Sequence, residues 1–348
     1  MKRIGKALLL LTISLLLFSC NNQSENADEQ ITAKEVTVYS QRHYESDDSL
    51  YALFTKQTGI KVNLIKAKAD ELINKLQLEG GNSPADVFIT VDAERLIRAK
   101  QKNLLQPISS DVLSDITSEL KDSSGYWTAL TYRARVLACI NTLEKNKLPA
   151  TYQELASLKW KGRILVRSSE SGYNQALLSS IIFNTNETIA KQWAASIVQN
   201  LAREPKGNDR DQMKAVAAGV GDVAIVNSYY YALLLQSKDK TERDAASKLK
   251  IIFPNQNESG THVNISGVAL TASSPNKENA IQLIKFLLGK DAQEYLTIRN
   301  CEYPANRNVQ ANEVLKQLSV FKADFNAVAH LEENHEKAMM IFNEVGWK

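Results

Sequence analysis

Between Val36 and Lys100 the sequence keeps switching between a strand period and a helix period, and that alternation restricts the chain to an α/β architecture. Val36-Thr-Val-Tyr39 is a short β-prone run. Asp47 to Gly59 then sets Leu50, Leu53 and Phe54 on one helical face, with Gly59 as the stop. Ile60 to Ile65 is a second strand. Ala69 to Leu78 is a second amphipathic helix, ended by Gly80-Gly81. Ala85 to Thr90 gives a third strand, and another helix reaches Lys100. A β-α-β-α-β order calls for a parallel sheet with right-handed crossovers.

The alternation continues through strands at Arg135 to Ile140, Arg163 to Val166, Val223 to Val226 and Ile251 to Phe253. Helices are expected at Asn174 to Phe183, Glu187 to Leu201, Asp209 to Ala218, Asn276 to Leu288 and Ala292 to Ile298. A helical tail from Asn312 to Phe342 closes the chain, and no segment repeats at a fixed period.

The first residues set the compartment. Lys2, Arg3 and Lys6 precede an apolar run from Ala7 to Phe18 that is too short to span a bilayer, which is the pattern of an export signal. The run ends in Leu17-Phe18-Ser19-Cys20, which resembles the lipobox of bacterial lipoproteins; by that resemblance Cys20 becomes the mature N-terminus and carries the lipid. Residues 1–19 are then a lipoprotein signal peptide and residues 20–34 a polar, flexible tether. The protein is expected in the cell envelope, anchored by lipid and facing the periplasm or the outer side of the membrane.

About 328 residues follow the leader, more than one core usually holds and enough for two lobes. Removing Lys2, Arg3 and Lys6 from the 42 basic residues leaves 39 against 39 acidic ones. With no basic run either, nucleic acid is excluded as a partner. Apart from Cys20 only Cys139 and Cys301 remain, too few for a thiolate metal cage. Whether they pair or stand as buried free thiols is not decided by spacing.

Ligands of open α/β sheets sit beyond the carboxyl ends of the strands. Three such junctions carry tyrosine: Tyr39-Ser-Gln-Arg-His-Tyr44, Arg167-Ser-Ser-Glu-Ser-Gly-Tyr173 and Asn227-Ser-Tyr-Tyr-Tyr231. Ferric ion, a hard and highly charged acid, prefers anionic oxygen over sulfur. It is able to strip the proton from a phenol near neutral pH, as metals do from water and thiols. Three phenolates neutralise it, a fourth calls for a compensating cation, and one imidazole adds a neutral ligand. Such a set favours ferric over ferrous iron. Taken singly, most of the 12 tyrosines are packing residues.

Across most of its length the chain resembles the ferric-binding branch of the class II periplasmic binding proteins, closest to the cyanobacterial-type members. The matching stretches include Val38-Tyr-Ser-Gln-Arg-His-Tyr44, Ser83-Pro-Ala-Asp-Val87, Thr90-Val-Asp-Ala93, Arg133-Ala-Arg-Val136 and Lys159-Trp-Lys-Gly-Arg163. Further on come Lys214-Ala-Val-Ala-Ala-Gly219, Asn227-Ser-Tyr-Tyr-Tyr231, Phe253-Pro-Asn-Gln256 and Gly260-Thr-His-Val-Asn-Ile-Ser-Gly267. The resemblance implies a non-enzymatic, monomeric solute-binding protein that delivers Fe³⁺ to the ABC permease of an iron importer. It places the metal ligands at His43, Tyr44, Tyr173, Tyr229 and Tyr230, with Arg133 behind them and Tyr231 turned away. The arginine that relatives often carry after the tandem tyrosines is missing, since this chain reads Ala232-Leu-Leu-Leu-Gln236.

The implied fold has two lobes, residues 35–130 with 265–310 and residues 131–264. Crossover strands near Thr131 to Val136 and His262 to Ala269 form the hinge, and helices in 311–348 pack on the second lobe. His262 is expected to be structural, His330 and His335 to lie on a solvated helix face with Glu332, Glu333 and Glu336, and Asp92 to cap a helix. The same fold class also carries oxyanions, phosphonates, thiamine or polyamines, which is the alternative reading. A hydrolase would need a nucleophile with its base, and neither such a pair, nor a Walker loop, nor a dinucleotide-binding glycine pattern is present.

Overall fold

The computed structural model describes residues 34–348 apart from His43, so the expected leader, Cys20 and the candidate ligand His43 lie outside the described residues. The first half alternates as the sequence predicts: β1 (Glu35–Ser40), α1 (Glu45–Thr58), β2 (Lys61–Lys66), α2 (Ala69–Glu79), β3 (Val87–Thr90) and α3 (Ala93–Gln101). Helix α1 ends where Gly59 takes a left-handed φ of 73°, a conformation that costs glycine nothing. A short β4 (Leu105–Gln106) leads to the long β5 (Thr128–Ile140).

The second half comprises β6 (Ile164–Leu165), α4 (Gly172–Asn184), α5 (Glu187–Gln199), α6 (Asp209–Ala217), β7 (Val223–Asn227), α7 (Ser228–Leu235), α8 (Lys240–Ser247) and β8 (Leu249–Ile252). The chain returns along β9 (Thr261–Thr271) to α9 (Lys277–Leu288), α10 (Lys290–Asn300) and β10 (Tyr303–Pro304). It ends with α11 (Glu313–Leu318), β11 (Ala323–Asp324) and α12 (His335–Val345).

The strands run in the order β2-β1-β3-β9-β5-β7-β6. Pairing is parallel at the two ends, where β1 joins β2 and β3 and where β6 joins β7. It is antiparallel in the middle, because β5 and β9 cross between the two halves in opposite directions. The sheet is therefore mixed rather than purely parallel, and the expected hinge segments form one antiparallel pair, Arg133 opposite Asn264. The result is the two-lobed α/β fold.

Val36, Val38, Phe54, Phe88 and Ile89 are buried in one apolar cluster, and Trp160, Ile164, Leu178 and Ile225 in another. Each large apolar side chain so buried contributes roughly 1.5–3 kcal/mol. Cys139 and Cys301 are free and lie in separate apolar clusters, where burial pushes the Cys139 thiol up to about 12.

The tail departs from the expected run of helix. β11 interrupts it and pairs with the start of β9, Ala323 opposite Thr261. Gly260 permits that approach: its φ is 104°, and a Cβ there would stand 2.7 Å from the Lys322 carbonyl oxygen. Helix α12 packs on α4 and α5, while Glu332 pairs with Arg98 of α3 at 2.9 Å. His335 is not on a solvated face, because its Nδ1 sits 3.0 Å from the buried Glu94 carboxylate. His330 stacks on Phe183 with ring centres 4.4 Å apart. Among the described residues no cluster of three or more His, Cys, Asp or Glu side chains is arranged to hold a metal, and no helix is long and apolar enough to cross a membrane.

Candidate ligand site at the tyrosine cluster

Strand β7 delivers Asn227 directly to the start of α7, so Tyr229, Tyr230 and Tyr231 fan out at about 100° steps around one helical turn. Tyr229 is 2% exposed and Tyr230 half-buried, their ring centres 4.1 Å apart. Tyr231 turns away into the main apolar cluster, as expected. At the start of α4, Tyr173 brings its hydroxyl to 3.2 Å from the Tyr229 hydroxyl. Tyr44, at the N-cap of α1, reaches Tyr229. Four of the five expected ligands therefore converge from three strand-to-helix junctions. The fifth, His43, lies outside the described residues.

Burial sets the protonation of this cluster. The Tyr44, Tyr173 and Tyr229 hydroxyls are all held above the ordinary phenol value, first by loss of solvent. Glu302 adds to the rise at Tyr44, and the neighbouring tyrosines add to it at Tyr173 and Tyr229. Such phenols stay neutral until a cation replaces their protons.

Two arginines stand behind the cluster. Arg133 and Arg135 are two residues apart on β5 and so share a face of the strand. The Arg133 guanidinium lies 5.4 Å from the centre of the Tyr173 ring and donates to the Val91 carbonyl oxygen. Its carboxylate partner is Asp92, at 3.5 Å. Asp92 corrects an expectation: it occupies the N-cap position of α3, but its carboxylate makes no capping bond. It accepts from Asn264 of β9 at 2.8 Å, which with Arg133 is the stronger use of a buried charge.

Arg135 was not singled out as a site residue, yet it joins the two tyrosine-bearing turns. Its Nη1 donates to Asp209 at 2.8 Å and Asn227 at 3.2 Å, and its Nη2 donates to Asn174 at 2.8 Å. Asp209 accepts in addition from the Asn227 backbone N–H at 2.8 Å. Thus one buried ion pair fixes both the turn before Tyr229 and the residue after Tyr173. The sequence signals it only through its two-residue spacing from Arg133 in the Arg133-Ala-Arg-Val136 stretch. Arg167 completes the cationic side, 5.2 Å from the Tyr173 ring centre.

His262 of β9 lines a small cavity of about 10 Å³ with Arg133, Arg135, Tyr173, Asn227 and Asn264. It is buried in the hinge strand, 3% exposed. Loss of solvent, then the two arginines, pushes its pKa from 6.5 down to about 3. The folded protein therefore holds His262 neutral while the unfolded chain binds a proton below 6.5. Its stabilising effect is complete above that pH and is lost as pH falls toward about 3, at about 1.4 kcal/mol per pH unit. Denaturant unfolding between pH 7 and 4 should show a flatter pH profile for His262→Gln than for the unsubstituted protein; equal slopes would refute this account. A larger cavity of about 870 Å³, between α3, α4 and the tail, contains none of the tyrosines.

The model of the bacterial extracellular solute-binding protein family matches residues 82–330. Iron uptake protein A1 of Synechocystis sp. is 42% identical over 348 residues, 99% of this chain and 97% of that protein. Among solved structures, a Trichodesmium protein described as IdiA or FutA, in complex with iron and citrate, superposes with a TM-score of 0.84. It is 45% identical and covers 90% of this chain and 100% of its own. A ferric binding protein from Campylobacter jejuni gives a TM-score of 0.85 at 42% identity, covering 90% of this chain and 100% of its own.

Proposed function

This chain belongs to the bacterial extracellular solute-binding protein family, in the branch that includes the cyanobacterial iron uptake proteins, and on that premise we propose that it captures ferric iron for import. The ion is held by the phenolates of Tyr44, Tyr173, Tyr229 and Tyr230, with His43 as the neutral ligand and Arg133 offsetting excess negative charge. The observation that carries this reading is the approach of the Tyr173 and Tyr229 hydroxyls to 3.2 Å with Tyr44 beside them. Phenols packed so closely cannot all ionise unless a highly charged cation lies among them.

Tyr44 belongs to a first lobe of residues 35–130 and 265–310, and the other three tyrosines to a second lobe of residues 131–264. Residues 311–348 form a tail that touches both lobes: α12 packs on α4 and α5, while Glu332 pairs with Arg98 of α3. Iron bridging both ligand sets favours the closed form, because only that form offers all of them at once. The closed monomer is what the ABC permease recognises. Cys20, acylated after removal of residues 1–19, keeps the protein at the membrane on the extracytoplasmic side.

Titration of the purified protein with a weakly chelated ferric salt tests the proposal. A broad visible phenolate-to-iron charge-transfer band saturating at one equivalent is the expected result. A protein that stays colourless and takes up no ferric ion rules it out.

A further inference from the structure

Behind Tyr44 lies a buried charge cluster that the ligand set does not use. Arg42 is 2% exposed, and its guanidinium carbon sits 4.7 Å from the centre of the Tyr44 ring. Asp47 of α1 grips that guanidinium with both oxygens, accepting from Nε at 2.7 Å and from Nη2 at 3.0 Å. Glu302, in the turn between α10 and β10, is 1% exposed and accepts from Arg42 Nη1 at a longer 3.4 Å. Its same oxygen accepts from the hydroxyl of Thr131, on hinge strand β5, at 2.8 Å. Beside it, Ser46 donates to Asn300 at 2.7 Å, tying the start of α1 to the end of α10.

Two carboxylates thus share one guanidinium, and the triad keeps one negative charge out of water. Buried charges are costly unless paired and hydrogen-bonded, and Glu302 shares its one cation with Asp47. No lysine or arginine other than Arg42 forms an ion pair with Glu302 or Asp47 among the described residues. Through Thr131, two residues before Arg133 on β5, Glu302 sits beside the ligand cluster; loss of solvent and then Glu302 raise the Tyr44 hydroxyl, while Arg42 and Arg133 lower it. On the other lobe Arg135 and Arg167 share the single carboxylate of Asp209, leaving that side the more positive one.

We propose that Glu302 is a specificity-determining positioning residue, whose buried carboxylate holds the Tyr44 turn against hinge strand β5 and biases the site toward ferric over ferrous iron. The inference rests on the ferric-carrier reading above. A fixed negative charge interacts with one more unit of charge in Fe³⁺ than in Fe²⁺, so it stabilises the oxidised ion selectively, and low local polarity strengthens the effect. The stretch Ala232 to Leu235 after the tandem tyrosines carries no cation, which works in the same direction.

The test is Glu302→Gln, which keeps the side chain's size and its bond from Thr131 while removing the charge. Ferric affinity is measured by competition with citrate, ferrous affinity is measured anaerobically, and the potential of the bound iron is read by spectroelectrochemistry. The expected result is a ferric affinity that falls about tenfold more than the ferrous one, an upward potential shift of about 59 mV for a one-electron couple. Glu302→Asp, which restores the charge, should return most of the shift. Asp47→Asn, which removes a charge from the far side of the same triad, should move the potential in the same direction and by less. It also serves as the readout if Glu302→Gln does not fold.

Equal losses of ferric and ferrous affinity with an unchanged potential would mean a purely structural role and overturn the proposal. An unsubstituted protein that binds no ferric ion would instead overturn the carrier reading beneath it.

Discussion

Tyr229→Phe is expected to weaken ferric binding by more than about 100-fold, the upper end of what loss of a metal's outer-shell partner costs, because a ligand itself is removed. The substitution deletes one oxygen from a side chain that is 2% exposed and leaves its packing volume almost unchanged. Its hydroxyl meets the Tyr173 hydroxyl at 3.2 Å, so one neutral hydrogen bond is lost, worth about 1 kcal/mol. A large loss of affinity beside a small loss of stability is the signature of a ligand. Tyr231→Phe is the internal control, since Tyr231 faces the apolar cluster and should leave affinity unchanged. Isothermal competition against citrate gives both affinities. If the two variants bind ferric ion equally well, Tyr229 is a packing residue and the assignment of the pair fails.

Arg135→Met is expected to be the most destabilising single change near the site, at about 3–5 kcal/mol. The substitution leaves Asp209 buried, 0% exposed, without its close cationic partner, and it breaks the bonds from Arg135 to Asn227 and Asn174. Arg167, 3.7 Å from the other Asp209 oxygen, is too distant to replace that geometry. Asp209→Asn together with Arg135→Met should recover part of the loss, because the uncompensated charge disappears with its partner. Denaturant unfolding of the two single variants and the double variant measures the coupling. Additive losses would show that the pair is not the source of the stability. Since the same pair holds the turns before Tyr229 and after Tyr173, iron affinity should fall with it.

Much of this molecule was legible before any coordinates. The alternating periods located the elements from Val36 to Lys100 to within a few residues, because each helix and strand declares its buried face locally. The tyrosines could be found for a related reason. They stand at strand-to-helix junctions, where parallel α/β topology brings distant segments to one edge. The mixed pairing of the hinge was less visible, because β5 and β9 are buried along most of their length and carry no alternation to mark direction. The tail reads as continuous helix because nothing in Ala323-Asp324 announces a strand; its pairing with β9 depends on a turn at Gly260, distant in sequence.

What the sequence determined by itself is what neighbouring residues decide together: the alternating α/β class, the helix stop at Gly59 and the placement of tyrosines at strand ends. What only the tertiary structure decided is which charges meet. Arg42 finds Glu302 across 260 positions, Arg135 finds Asp209 across 74, and Asp92 leaves its helix to hold Arg133 and Asn264. Such pairs have no period and no spacing, because their partners are chosen by the low polarity of a shared interior and not by the chain between them.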